Sequence, residues 1–315
     1  MKRTTAIAIL LSLTSSAVIA ADDNNYKHDI QAYYSSSSED FSYGRYGLSQ
    51  RSYFGGDGVD QSSVPYTLSG ELSQKTNFGT HYAGFNGNGK DYHVDLEYVF
   101  DSKIFIAAKY YKTELKDYEV NGYFSLGDYD DFYGMDIDRN FTVQDYKSDG
   151  YIGAIGYYFN PTSSLYLDYR RGNLKNYRTI LTTDDLELKT TTDNFGIGVN
   201  SFVEFVSTTG LYMVAKYTYT SYDEEHTGYD ITYNDSINNL DLALDWYLTQ
   251  SFSIGGKYHT DDNDYDDDDS DNDYSVTAAY FWRMTDIFST RFEVTKQLEP
   301  RLDGVYGRFS VDARF

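Results

Sequence analysis

Residues 304–315 read Gly-Val-Tyr-Gly-Arg-Phe-Ser-Val-Asp-Ala-Arg-Phe. Side chains of an extended strand point alternately to two faces. Gly307, Phe309, Val311, Ala313 and Phe315 therefore share one side, and Arg308, Ser310, Asp312 and Arg314 the other. One face is small or apolar and the other is charged. A half-buried strand of a soluble sheet has the same pattern, so the decision rests on how the rest of the chain behaves.

The rest of the chain repeats it. Tyr92, Val94, Leu96, Tyr98 and Phe100 alternate with His93, Asp95, Glu97 and Val99; Ile104, Ile106, Ala108 and Tyr110 alternate with Phe105, Ala107, Lys109 and Tyr111. Strands are expected near 150–159, 165–177, 192–206 and 211–219. In the clearest one, Leu240, Leu242, Leu244, Trp246 and Leu248 oppose Asp241, Ala243, Asp245 and Tyr247. Tyr274, Val276, Ala278, Tyr280 and Trp282 form one face of a later strand, and Phe288, Thr290, Phe292 and Val294 oppose Ser289, Arg291, Glu293 and Thr295. Before residue 90 the alternation is weaker, with strands read at 26–35, at 42–54 and within 68–86, where Asn86-Gly87-Asn88-Gly89 is a hairpin signal.

The connections alternate as well. Short turns near 101–103, 160–164, 207–210, 249–251 and 284–286 are separated by long polar segments near 116–148, 178–191, 223–235 and 261–273. The Gly- and Ser-rich stretch 55–65 reads as one further connection, on the short-turn side. Sorting of loops by length is the organisation of a membrane barrel, not of a soluble sandwich. Eleven strands after residue 90 and three before it predict an all-β, antiparallel up-and-down barrel of about fourteen strands, with twelve or sixteen as neighbouring even numbers.

Composition agrees. A mean hydropathy of −0.58 looks soluble or even disordered, yet the chain holds 35 Tyr and 19 Phe, which disordered segments lack. A transmembrane barrel needs apolar residues only at every second position, and its hydropathy stays low. Lys2 and Arg3, the apolar run Ala6–Leu13 and the small residues up to Ala20 predict a secretory signal peptide at 1–20, Sec-dependent export, and a mature barrel from 21 to 315. No cysteine is present, which leaves out disulfides and thiol catalysis. A net charge of −23 argues against nucleic acid as a partner.

The polar strand faces carry Asp95, Glu97, Lys109, Asp168, Arg170, Lys216, Asp241, Asp245, Arg291, Glu293, Arg308, Asp312 and Arg314. Inward charges of both signs suit a water-filled pore; cross-strand pairing within the wall is the other use of such residues. Segment 116–148, with Asp128, Asp130, Asp131, Asp136, Asp138 and Arg139, is a candidate constriction. The acidic run 261–273 invites a hard-cation site at Asp264, Asp266 and Asp268, but it lacks the Gly and Glu of a calcium-binding loop frame. It is better read as a solvated loop with diffuse Ca²⁺ or Mg²⁺ association. No cofactor is expected. His226 beside Glu224 and Glu225, and His259 beside Asp261 and Asp262, are the nearest approach to catalytic pairs, and they reproduce no hydrolase motif.

The terminal Phe315 with Ala313, Val311 and Phe309 resembles the C-terminal assembly signal of Gram-negative outer-membrane barrels. With the signal peptide, the acidic composition and the Tyr-rich strands, the mature chain resembles the porins of Gram-negative bacteria. The third loop of general porins follows the fifth strand and folds into the pore; segment 116–148 holds that position but lacks their Pro-Glu-Phe-Gly-Gly-like motif. The resemblance implies an outer-membrane location, the barrel-assembly machinery as partner, passive diffusion of small hydrophilic solutes and ions, and a homotrimer as one assembly. The acidic mouth predicts weak cation selectivity. A surface receptor or adhesin, or a barrel hydrolase, is the alternative.

Overall fold

The computed structural model describes residues 25–37, 44–60, 64–85, 89–119, 142–179, 185–206, 209–227, 231–263, 271–298 and 304–315. The described strands are β1 (Asn25–Tyr26), β2 (His28–Ser37), β3 (Arg45–Phe54), β4 (Val59–Asp60), β5 (Thr76–Phe85), β6 (Lys90–Val99), β7 (Ile104–Glu119) and β8 (Thr142–Asn160). They continue with β9 (Ser163–Thr179), β10 (Asp185–Val206), β11 (Thr209–Thr227), β12 (Ile231–Tyr247), β13 (Phe252–Asn263), β14 (Asp271–Arg283), β15 (Phe288–Gln297) and β16 (Val305–Arg314). Fourteen of them pair antiparallel with their sequence neighbours into a closed barrel, sealed where β16 meets β2. The two-residue strands β1 and β4 form a separate small sheet.

Closure follows from where the apolar side chains point. Leu242, Leu244, Ile254, Val276, Phe292, Val294, Ile106, Ile155, Leu167 and Ile197 are all exposed on the outer surface. Aromatic residues bound this band on both sides. Tyr34, Tyr46, Tyr82, Tyr110, Tyr151, Phe195, Tyr219 and Tyr274 lie toward the end with the longer connections, and Phe54, Tyr98, Phe100, Tyr157, Phe159, Phe205, Trp246 and Trp282 toward the short-turn end. Outer-face charges begin beyond the first row, with Lys112 held by Glu114 at 2.7 Å and Arg171 by Asp193 at 3.8 Å. An apolar belt between two aromatic girdles is the surface that a bilayer solvates. In hydrocarbon an open sheet edge would leave backbone groups unpaired, and the β16–β2 ladder removes that edge.

The strands are strongly tilted. Successive cross-strand partners run from Asp29 at the start of β2 through Arg51, Gly79, Asp95, Lys109, Ile152, Arg170, Asn194 and Thr220 to Ile237 near the start of β12. One register line thus climbs most of the height of the wall. Fourteen strands about 4.8 Å apart and tilted ~40° enclose a backbone cylinder on the order of 25 Å across.

The segments 178–191 and 223–235, read as loops, are largely strand, and strands also reach into both ends of 116–148 and 261–273. β7 continues to Glu119 and β8 starts at Thr142, inside the segment 116–148; β9 and β10 leave only 180–184 between them, and β11 and β12 only 228–230. The constriction candidates Asp128, Asp130, Asp131, Asp136, Asp138 and Arg139 lie outside the described residues, as do Asp264, Asp266, Asp268 and the signal peptide.

A charge on the belt meets hydrocarbon. Leu244→Arg is expected to destabilise the barrel by about 2–4 kcal/mol, the cost of arginine near a bilayer midplane. Denaturant titration of the protein folded into vesicles measures it, and a change below ~1 kcal/mol would place Leu244 outside the lipid band.

Candidate functional site: a charged lumen with a floor

Every second residue of the wall faces inward, and the charged residues of the belt region stand among them, beside aromatic side chains such as Phe105, Phe202 and Phe281. All thirteen charged positions singled out from the alternation stand on this inner face, from Asp95 on β6 to Arg314 on β16. The structure also shows what each meets. Lys216 reaches Asp168 at 3.1 Å, Arg291 reaches Glu293 at 2.9 Å, and His259 meets Asp241 at 2.6 Å. Glu97 accepts a hydrogen bond from the Tyr158 hydroxyl at 2.9 Å. Arg170 donates to Tyr111 Oη at 3.1 Å and stacks on its ring. Arg308 covers the Tyr33 ring, 4.3 Å from its centroid, and donates to Gln31. Asp95 is held by Arg51 at 3.1 Å and lies opposite Lys109 in register. Asp245 leans over Gly255, where a Cβ would collide with the carboxylate.

The wall charges are thus placed in pairs and stacks on the inner face of the barrel. Arg45 with Asp91 at 2.6 Å, Arg51, Asp29 and the stacked His81 and His93 belong to the same inner surface. Asp29, Arg45 and Arg51 were missed in sequence because β2 and β3 carry small and polar residues such as Ala32, Gln50 and Ser52 on their outer faces, which blurs the alternation. His259 meets Asp241, the residue directly opposite it on β12.

The most consequential feature is at the short-turn end. The connection between β4 and β5 does not stay outside the barrel mouth; it crosses the mouth and packs against the far wall. Three glycines with positive φ, Gly55, Gly56 and Gly58 at 87°, 64° and 92°, turn the chain inward, a conformation that costs glycine nothing. Val64, Leu68 and Leu72 then bury themselves against Phe202, Tyr212 and Tyr247 on β10, β11 and β12. The four-residue spacing matches a single helical turn, and Leu72 N–H donates to the Leu68 carbonyl at 3.0 Å.

Polar anchors fix this floor around the rim. Tyr66 N–H donates to the Gln250 carbonyl at 3.2 Å, and Gln250 Nε2 donates to the Val64 carbonyl at 3.3 Å. Thr67 Oγ1 and Tyr247 Oη are 2.9 Å apart, and Gln74 donates to the Asn160 carbonyl at 2.6 Å. Ser69 Oγ is shared by Tyr26 Oη at 2.9 Å and Arg314 Nη1 at 3.3 Å. Arg314 Nη1 also donates to the Tyr66 carbonyl at 2.7 Å, while its Nε bonds Asp29 at 3.2 Å. The guanidinium lies between the Tyr26 and Phe281 rings, 5.1 and 5.3 Å from their centroids. The floor therefore touches the wall from β8 round to β16.

The sequence signal for it was present. Val64, Leu68 and Leu72 are apolar residues at helical spacing inside a connection otherwise rich in Gly, Ser and polar groups.

No protein-family model matches the chain, and no curated protein matches it in sequence. Among solved structures it is similar to the outer-membrane protein Omp33 of Acinetobacter baumannii, at 14% identity over 93% of this chain and 100% of that one, with a TM-score of 0.48. It is similar to the toluene transporter TbuX of Ralstonia pickettii, at 8% identity over 93% and 90% of the two chains and a TM-score of 0.48. It is also similar to the KdgM porin, at 8% identity over 91% and 99% and a TM-score of 0.36. These neighbours are outer-membrane barrels, channels and porins among them. The likeness is one of fold, and no residue role is carried across.

Proposed function

We propose that the protein is an outer-membrane channel for passive diffusion of ions and small hydrophilic solutes, with the floor segment Val64–Lys75 forming its narrowest point. The short-turn end is then periplasmic and the other end extracellular. The observation that carries the reading is the contrast between wall and floor. Among the described residues, a charged inner wall too wide for its side chains to fill is crossed by the single segment 64–75. A barrel serving only as a scaffold for loops would gain nothing from such a lining.

Weak cation preference is the selectivity we assign. On the inner wall above the floor stand Asp29, Asp95, Glu97, Asp245, Glu293 and Asp312, against Arg51, Lys109, Lys257, Arg291 and Arg314. The acidic segment 261–273 adds a negative field at the other mouth, and fixed charge of one sign enriches counter-ions there. Export by the Sec route and insertion by the barrel-assembly machinery, with Phe315 as the recognised end, belong to the same proposal.

A planar bilayer under a tenfold salt gradient tests it. Discrete ohmic steps with a reversal potential of cationic sign are the expected result. An anionic sign would transfer control to the wall arginines and lysines, and no conductance from a verifiably folded barrel would end the channel reading.

A further inference from the structure

We infer that copies of this chain associate side by side in the membrane through the outer face of β2, β3 and β5, with the amide of Gln50 bonding the same amide of a second copy. The inference rests on the membrane location proposed above and is independent of whether the lumen conducts.

Gln50 stands on the outward row of β3, with Leu48 and Tyr46 above it and Ser52 and Phe54 below. Tyr46 and Phe54 are girdle residues, 43% and 53% exposed, so Gln50 lies at the middle of the lipid belt. Elsewhere around the barrel the belt carries Val94, Ile106, Ile155, Leu167, Ile197 and Leu244, all exposed. A carboxamide held in hydrocarbon without a partner is unfavourable, because no water replaces the bonds it gives up. Ser52, the next residue on the row, is answered within the chain by His28 Nδ1 at 3.0 Å. Gln50 is exposed, and among the described residues its amide has no hydrogen-bond partner.

The relief around Gln50 is shallow. Its partners across the two ladders are Ile30 on β2, which is buried, and Thr80 on β5, which is half-buried. Ala32, Leu48 and Ser52 are half-buried as well, and the exposed rings of Tyr34, Phe78 and Tyr82 stand beyond them. A recess of small side chains lets a second wall come close. Depth identifies what fills it. A lipid tail offers neither donor nor acceptor, and headgroups sit at the level of the girdle. Copies inserted by one route share one orientation, so rotation about the membrane normal relates them and each residue meets the neighbouring wall at its own depth. An amide carries both a donor and an acceptor, so at that depth Gln50 is complementary to itself.

The test uses single-cysteine proteins, which are clean because the chain has no cysteine of its own. Q50C and I197C, the second on the far side of the barrel, are refolded into phospholipid vesicles at high lipid excess and oxidised. A covalent dimer of Q50C whose yield survives further lipid dilution is expected, with I197C giving little. Equal yields from the two, or a Q50C yield that falls with dilution as random collisions do, overturn the inference. A second readout avoids cysteine. Q50L suits hydrocarbon, so the barrel should fold and keep its heat-modifiable mobility on a gel. Single-molecule photobleaching of protein labelled once at its N-terminus then counts copies in a supported bilayer. The wild type is expected to bleach in more than one step at dilutions where Q50L bleaches in one, its association being at least about tenfold tighter. Single steps for both, as for a protomer solvated by lipid or reserved for a different protein, overturn the inference, and so does unchanged association of Q50L. Neither readout depends on conductance, so a silent barrel would end the channel reading and leave this one to stand or fall by itself.

Discussion

Replacing Val64–Ser73 with a glycine–serine run of the same length is expected to raise single-channel conductance several-fold. The reason is geometric. The segment spans the mouth of a cylinder on the order of 25 Å across, and its hold on the far wall comes from Val64, Leu68 and Leu72 against Phe202, Tyr212 and Tyr247. A glycine–serine chain keeps the covalent connection but has no apolar side chains to seat and behaves as flexible coil. Leu68→Ala alone should have a smaller version of the effect, since emptying a buried leucine site costs about 2–5 kcal/mol and shifts the floor toward its unseated state. The opposite manipulation is clean because the chain has no cysteine. Tyr66 N–H and the Gln250 carbonyl are 3.2 Å apart, which brings the two backbones within the span of a disulfide. In Y66C/Q250C, oxidation should hold conductance at its lowest level and a reductant should release it. Unchanged conductance in both variants would show that the floor does not limit flow.

The second large effect is expected at Arg314. The residue is 7% exposed, and its side chain serves the floor and the wall at once, bonding the Tyr66 carbonyl, Ser69 and Asp29. Asp312, 2% exposed, lies two residues away on the same face. Arg314→Ala would leave the buried Asp312 and the half-buried Asp29 without their cation and the Tyr66 carbonyl without its donor. Breaking such a buried ionic arrangement from one side typically costs about 3–5 kcal/mol. We expect a loss of that size in denaturant unfolding, together with a conductance rise like that of the glycine–serine replacement. Arg314→Lys keeps the charge but not the planar fork that reaches three partners, and should fall between. A loss under ~1 kcal/mol would mean that Asp29 and Asp312 find other partners and that Arg314 is dispensable to the floor.

The parts of this molecule that were legible in sequence are those that lipid constrains. From residue 90 onward a period of two runs through Leu240–Leu248 and Tyr274–Trp282 because hydrocarbon takes one face and water the other. Fourteen strands could be counted on that rhythm. Above the belt no hydrocarbon selects one face, so Thr142–Ser148 on β8 and Asp185–Thr191 on β10 carry no clear alternation and read as loop. Backbone pairing with neighbouring strands makes them strand nonetheless. The inner wall charges were readable for the same reason as the belt, being its complement. Their partners were not, because Lys216 and Asp168, or His259 and Asp241, meet only once the register is set. The floor left only one trace, the spacing of Val64, Leu68 and Leu72, because Gly55, Gly56 and Gly58 announce a turn without its direction.

The shared use of Arg314 also orders events in time. Its bond to Asp29 joins residues 285 apart in sequence, and contacts so distant form late because the intervening chain must first be brought into place. The first and last strands meet at that same point, where Lys27 and His28 N–H groups both donate to the Phe315 carbonyl. The floor's final anchor therefore cannot exist before the cylinder is complete. During insertion the nascent wall is an unfloored cleft, and the step that seals it sideways is the step that closes it below.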